Sequence, residues 1–211
     1  MKKNTRLLNM IFLIATIVLA VVALATIALN LTDMSLEVHG GAKGDLVDVH
    51  QSIHQTSFAG FELVFGATKS TPSYGPLSVS GAIFALVPYI LLVLGIVCAV
   101  LGFCVKKLNN RLWVGLTASI LALAAGFFLV ILPSVRFDAV STDNIEVWRK
   151  FYFDGYVAQG YHSEINVSYN LAPTLFLYIG LGASLASALV ATARLAVFNI
   201  EDKQAKEEAA E

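Results

Sequence analysis

The fold is decided by residues 82–132, which read AIFALVPYILLVLGIVCAVLGFCV, then KKLNNR, then LWVGLTASILALAAGFFLVIL. Two apolar runs flank a short basic connector, and each run exceeds the roughly 20 residues that a helix needs to cross about 30 Å of hydrocarbon. Neither run contains Asp, Glu, Lys, Arg or His, so neither has the polar stripe of a soluble amphipathic helix. The stretch predicts two membrane-spanning helices joined by a tight turn.

Two further apolar runs lie near the ends of the chain. The first follows Lys2, Lys3 and Arg6 and is much longer than the 7–15 apolar residues of a signal peptide, so it predicts an uncleaved helix. The last is expected to carry Pro173 in its first turn and Arg194 near its other end, where the long side chain would snorkel to the lipid head groups. The predicted spans are residues 7–31, 82–105, 112–133 and 171–198, and the segments outside them are residues 1–6, 32–81, 106–111, 134–170 and 199–211.

The composition supports an integral membrane protein. Hydrophobic residues make up 57% of the 211 residues, charged residues only 14%, and the mean hydropathy is +0.72, whereas a soluble domain has about a quarter charged residues. The basic residues form no patch beyond those next to the spans, which excludes a nucleic-acid-binding surface. Membrane lipid is the first expected partner.

The two long connections, residues 32–81 and 134–170, are β-prone. Apolar and polar residues alternate in short segments that Gly and Pro residues separate, which is typical of strands. We therefore predict an all-α four-helix membrane bundle with a small β-containing extracytoplasmic cap formed by both connections, the second of which is rich in aromatic residues between 151 and 161. The alternating segments are Ser35–His39, Asp45–His50, Phe58–Phe65, Asn144–Trp148 and Glu164–Tyr169.

The distribution of basic residues predicts the orientation. Lys and Arg residues next to membrane spans remain on the cytoplasmic side, and nine of the 14 fall on the two terminal segments, the short connector and the end of the last span. The long connections carry the other five, although they are much longer. Both termini are therefore expected in the cytoplasm. The protein itself is expected in the plasma membrane of the cell.

Small residues recur along the fourth span in two rows. Gly180, Ser184 and Ala188 form the first row, and Ala183, Ser187 and Ala191 form the second. Lipid provides no hydrophobic drive between helices, so small residues serve to let helix backbones approach closely. The rows are interpreted either as helix packing within the bundle or as a docking face for another membrane protein.

Residues that would carry chemistry are sparse. No span has a titratable group at its middle, unlike ion-coupled carriers. The two cysteines form no CxxC motif, and the chain has no nucleophile-elbow spacing. His50 and His54 are four residues apart, a spacing found in zinc sites on helices, but their segment favours strand and turn. The sequence predicts no catalytic, metal-binding or cofactor-binding residues, and a metal-dependent enzyme at these histidines remains an alternative.

The order of the elements resembles that of tetraspan proteins, claudin-like proteins in particular. The claudin first-loop pattern of tryptophans and a cysteine pair is absent, because Trp113 and Trp148 lie elsewhere and both cysteines are in the second span. The resemblance implies layout alone. We expect a non-enzymatic tetraspan protein that is a structural, interaction or accessory subunit of a membrane complex. Its expected partners are other membrane protein chains or copies of itself. The alternative is a transporter or channel component whose pathway forms on oligomerisation.

Overall fold

The structure is a computed structural model, and it describes residues 2–40, 51–71, 75–79, 81–105, 107–131, 139–141, 146–147, 158–162 and 165–210. Side chains are described for residues 5–31, 57–69, 81–105, 107–131, 174–204 and 206. The predicted strand Asp45–His50 and the aromatic residues 151–156 lie outside the described residues. The chain divides into two compact units. The helical unit comprises Met1–Ala25, Val87–Leu129 and Ile179–Glu211, and the β unit comprises Thr26–Leu86 and Val130–Tyr178.

Among the described residues, four helices are long and apolar enough to cross a membrane. The candidate spans are Thr5–Ala28, Ile83–Cys104, Leu108–Ile131 and Leu175–Gln204. A short helix in the β unit makes five α-helices in the described chain. They are α1 (Lys2–Ala25), α2 (Gly60–Phe65), α3 (Val87–Cys104), α4 (Leu108–Ile131) and α5 (Leu175–Ala210).

The core of the helical unit is made of small side chains. Each of the four long helices contributes to one buried cluster, in which Leu92 of α3 packs among alanines of the others. Small residues allow close approach of the helix backbones, and the larger apolar residues are left on the outer faces. The buried cluster consists of Ala20, Ala23, Leu92, Ala125 and Ala183.

The β unit contains two sheets, and each combines strands from both long connections. The first sheet has the order β2-β1-β8-β7 and the second has the order β3-β4-β5-β6, with antiparallel pairing throughout. The strand β1 directly follows the turn after α1, and its partner β8 leads directly into α5. The strands are β1 (Asn30–Gly40), β2 (Gln51–Ala59), β3 (Ala67–Thr71), β4 (Gly75–Val79), β5 (Ala139–Ser141), β6 (Glu146–Val147), β7 (Ala158–His162) and β8 (Ile165–Pro173).

The predicted strand Phe58–Phe65 is wrong beyond Ala59, because Gly60–Phe65 is the helix α2. The Glu62 carboxylate accepts a hydrogen bond from the Ala59 backbone N–H at 2.7 Å, which satisfies a donor at the start of the helix. Leu63 and Val64 are both buried, whereas Phe65 is 74% exposed. Burial of consecutive residues is incompatible with the two-residue period of a half-buried strand, although the apolar alternation resembled one.

The fourth long helix begins later than predicted, since residues 171–173 end β8. Pro173 pairs with Thr32 in the register of β1 and β8, so it is not in the first turn of the helix. The Thr174 backbone N–H donates to the Leu31 carbonyl at 2.9 Å, and its hydroxyl donates to the Asn30 carbonyl. These bonds continue the strand pairing to the last residue before α5. The first span likewise ends early, because β1 already begins at Asn30.

Candidate functional site

Arg194 of α5 is buried, with only 3% of its surface exposed. The prediction that it snorkels outward is therefore wrong. Its Nε donates to Asn9 Oδ1 of α1 at 2.7 Å, and its Nη1 donates to the Ala99 carbonyl oxygen of α3 at 2.8 Å. Burying a charged group is tolerated only where hydrogen bonds replace the lost solvation. These two acceptors supply part of that replacement and tie three helices together.

Asn9 and Arg194 can meet because each lies at a similar distance from the same charged end of the bundle. Asn9 is seven residues after Lys2, and Arg194 is seven residues before Glu201. At 1.5 Å per residue both lie about 10 Å inside the charged end of their helix. This end also carries the connector between α3 and α4, and we call it the connector end. The arrangement follows from two antiparallel helices that each place one polar residue at the same level.

The Phe198 ring packs against two guanidinium groups. Its centroid is 5.0 Å from the guanidinium carbon of Arg194 and 4.3 Å from that of Arg111. Phe198 is fully buried, and Gly115 of α4 leaves the space for it: a Cβ there would lie 3.2 Å from Phe198 Cε2 and 2.6 Å from Leu195 Cδ2. A cation over an aromatic face is stabilised by the ring quadrupole. One ring thus supports two positive charges.

Arg111 and Arg194 have more N–H donors than there are acceptor atoms bonded to them. Arg111 Nη2 donates to Glu201 Oε2 at 2.8 Å in an ion pair between α4 and α5. Arg111 Nε and Arg194 Nη2 are buried and have no hydrogen-bond acceptor among the described residues. Arg194 itself is bonded to two neutral oxygens. The connector end therefore holds two guanidinium charges and one paired carboxylate at close range.

A cavity of about 420 Å³ opens between the helices at the connector end. Its size is within the range of small-molecule sites, roughly 300–1,000 Å³. One part of its wall is apolar and comes from the end of α3, and the rest is polar and comes from α1, α4 and α5. We call it the arginine cavity, and its lining residues are Thr5, Arg6, Asn9, Phe103, Cys104, Val105, Arg111, Glu201 and Gln204.

No protein-family model, curated protein or solved structure matches this chain. Its function is therefore inferred from the residues themselves.

The first small-residue row of α5 faces α4. The Ser184 hydroxyl donates to the Ala122 carbonyl at 2.7 Å, and the Ser119 hydroxyl of α4 donates to the Ala188 carbonyl at 3.0 Å. Gly180 is buried in the same row. Hydroxyl-to-carbonyl bonds of this kind need closely approaching backbones, which small residues permit.

The second row faces α1. The Ser187 hydroxyl donates to the Thr16 carbonyl at 3.0 Å, and Ala183 belongs to the buried cluster that contains Ala20. Ala191 is 4% exposed. All six predicted residues are therefore buried, and the two rows correspond to two neighbouring helices of the same chain.

The side chains of the predicted pair, His50 and His54, are not among those that the structure describes. His50 lies outside the described residues, and for His54 only the backbone, in β2, is described. Among the described residues there is no group of three or more His, Cys, Asp or Glu side chains placed to hold a metal ion. Cys98 is half-buried and Cys104 is exposed on the cavity wall.

The sequence prediction missed the pairing of Asn9 with Arg194 because it placed Arg194 by reference to its own helix alone. A signal was available: in an antiparallel bundle, polar residues at equal distances from the same charged end fall at the same level. The ring of Phe198 and the Ala99 carbonyl carried no comparable signal, because an apolar ring and a backbone oxygen look ordinary in an apolar run.

Replacement of Asn9 by Leu should lower stability, because it leaves Arg194 Nε without its acceptor. The expected loss is about 1–3 kcal/mol, measured as a lower thermal midpoint in detergent. Asn9→Asp should retain or raise the midpoint, since a carboxylate both accepts the bond and balances the charge. Thr117→Val is the control, because that hydroxyl bonds the Trp113 carbonyl of its own helix on an exposed face. Equal midpoints for all three variants would contradict the contact.

Replacement of Ser184 by Leu should destabilise the isolated chain by about 1–3 kcal/mol through overpacking. The matched control is Gly182→Leu on the same helix, where a Cβ would meet no atom within 4 Å. Thermal unfolding of the purified monomer separates the two interpretations of the rows. If the rows served only for docking, Ser184→Leu would leave the midpoint of the monomer unchanged and would reduce association alone.

Proposed function

We propose that this chain is a non-enzymatic tetraspan membrane protein that acts as a structural, interaction or accessory subunit of a membrane complex. It crosses the cell membrane four times through α1, α3, α4 and α5. The observation that carries the proposal is the use of polar side chains in the helical unit, where the hydroxyl and amide groups described above bond helix to helix.

The distribution of side-chain sizes supports insertion in lipid. Many large apolar residues on the long helices are exposed, including Val18 at 53%, Phe127 at 61% and Leu189 at 72%, whereas most of the buried residues of the helical unit are alanine, glycine or serine. In water such an arrangement would leave a large apolar surface uncovered, which marks a membrane or protein contact. In a bilayer the same apolar surface would contact the lipid acyl chains, which are apolar as well.

The polar groups of the spans support a structural role. Ser119, Ser184 and Ser187 each donate to a carbonyl of another helix, and Ser119 Oγ also lies 2.6 Å from Thr192 Oγ1. Transport pathways require polar groups that remain available to a substrate at membrane depth. Here these hydroxyls are occupied by contacts that hold the helices in place.

The orientation follows the basic residues. Lys107, Arg111 and Lys203 at the connector end favour a cytoplasmic location for that end. Both termini are then cytoplasmic, and the β unit is an extracytoplasmic cap. We propose that the cap and the outward face of α5, which includes Leu185 and Leu189, contact the partner. The buried small-residue rows are already occupied by α1 and α4.

Cysteine labelling tests this orientation. In a background with Cys98 and Cys104 replaced by Ala, a cysteine at the exposed position of Thr68 in β3 should react with a membrane-impermeant maleimide on intact cells. Cysteines at Lys107 and Lys203 should react only after the membrane is permeabilised. Their labelling after permeabilisation is also the control that shows they are reactive. Labelling of positions 68 and 107 from the same side would contradict the four-span topology.

Purification in mild detergent tests the subunit role. We expect another membrane chain to co-elute in fixed stoichiometry, identified by mass measurement of the intact complex. An unrelated tetraspan protein with the same tag, solubilised in parallel, controls for non-specific association. A clean monomer would count against the proposal, and a homo-oligomer with a water-filled centre would favour a transporter or channel component instead.

A further inference from the structure

We propose that the arginine cavity binds the phosphate group of an anionic phospholipid. The inference rests on the proposed membrane insertion, but it adds a ligand site that helix packing does not require. Three features carry it: an excess of positive charge, one unused donor each on Arg111 in the wall and on Arg194 behind it, and a wall that is polar on one side and apolar on the other.

The charge around the cavity is unbalanced. Arg6 and Arg111 line it, and Glu201 is its one described acidic lining residue and is already paired with Arg111. Behind the wall, Arg194 is bonded to Asn9 and to a backbone carbonyl, which are both neutral. The nearby Asp202 is paired with Lys206. A buried charge without a counter-ion is costly in a low-dielectric surrounding, so an anion in the cavity would be stabilised.

The unused donors lie on the polar side of the cavity, on Arg111 in its wall and on Arg194, which is bonded to the wall residue Asn9. In a planar guanidinium the N–H groups of Nε and Nη2 point along one edge, and this edge matches the oxygens of a phosphate. Arg194 uses Nε on this edge for Asn9, a residue of the cavity wall, while its Nη2 has no acceptor among the described residues. Arg111 uses Nη2 for Glu201, and its Nε is similarly unbonded. Each edge therefore keeps one donor for a further oxygen.

The walls of the cavity favour an amphiphile over a free anion. Phe103, Cys104 and Val105 form the α3 side, and Phe103 is also exposed on the outer face of its helix. The other side carries Thr5 and Gln204, which are hydrogen-bonded to each other at 3.0 Å. A phospholipid can place its phosphate against the arginines while its acyl chains follow the apolar outer face. Arginine binds phosphate well because its donors are fixed in a fork.

Lipid titration of the full chain in detergent, read by native mass spectrometry and by thermal midpoint, tests the proposal. Phosphatidylglycerol should remain bound at one molecule per chain and raise the midpoint, whereas phosphatidylcholine should do neither. Sodium phosphate at the same concentration should have little effect. Equal protection by sodium phosphate would make the ligand a soluble anion and overturn the lipid assignment. Equal binding of phosphatidylcholine would overturn the role of charge.

Two variants locate the site. Arg6→Glu changes an exposed lining residue that the described fold does not need, and it should weaken phosphatidylglycerol binding at least about tenfold. Lys203→Glu makes the same charge change on an exposed residue of α5 outside the lining, and it should leave binding nearly unchanged. An equal loss in both variants would show general attraction to a basic surface and would refute the site.

Arg111→Gln provides a second route to the same result, since it removes the unused Nε together with the charge. If this variant unfolds, Arg6→Glu still decides the question, because its side chain is exposed. Absence of lipid binding in a chain that fractionates with membranes and labels with the expected topology would refute this inference alone. A chain that does not enter membranes would refute the proposed function instead.

Discussion

A guanidinium buried among four helices must find its hydrogen-bond acceptors within the chain. Arg194 obtains them from Asn9 of α1 and the Ala99 carbonyl of α3, and it shares the ring of Phe198 with Arg111 of α4. Every long helix thereby contributes to one polar centre at the connector end. In the proposed lipid environment, where water is not available as a substitute, such a centre fixes which helices are neighbours and at what level they meet.

The small-residue rows of α5 also fix its position relative to the neighbouring helices. Dispersion between closely packed backbones has little orientational preference, but a serine hydroxyl that donates to a carbonyl of the facing helix does. Ser184 and Ser187 point to two different helices and are only three residues apart, so they restrict the rotation of α5 about its axis. The polar centre sets the level of α5, and the serines set its rotation.

The four helices could be predicted from the sequence because their signal is composition over more than 20 residues, which local detail does not alter. The secondary structure at Pro173 and at Gly60–Phe65 could not be predicted in this way. Whether a proline ends a strand or begins a helix depends on its neighbour, here Thr32 of β1, which is about 140 residues earlier in the chain. The apolar alternation of Phe61, Leu63 and Phe65 was likewise overridden by the Glu62 cap. Arg194 was misjudged because snorkelling is a property of a single helix, whereas burial depends on an acceptor from another.

The same reasoning explains why the arginine cavity is not a by-product of loose packing. Cavities that stay empty inside proteins are lined by apolar groups, whereas polar cavities hold water or a ligand. Here the lining contains two arginines, and the buried donors left over belong to Arg111 and to the Arg194 behind it. Each buried donor without an acceptor costs about 1–3 kcal/mol, and filling the space with apolar side chains would leave these donors no route to an acceptor. An anion in the cavity would bring acceptor oxygens to the wall that holds Arg111, and the excess of positive charge favours an anion there over water.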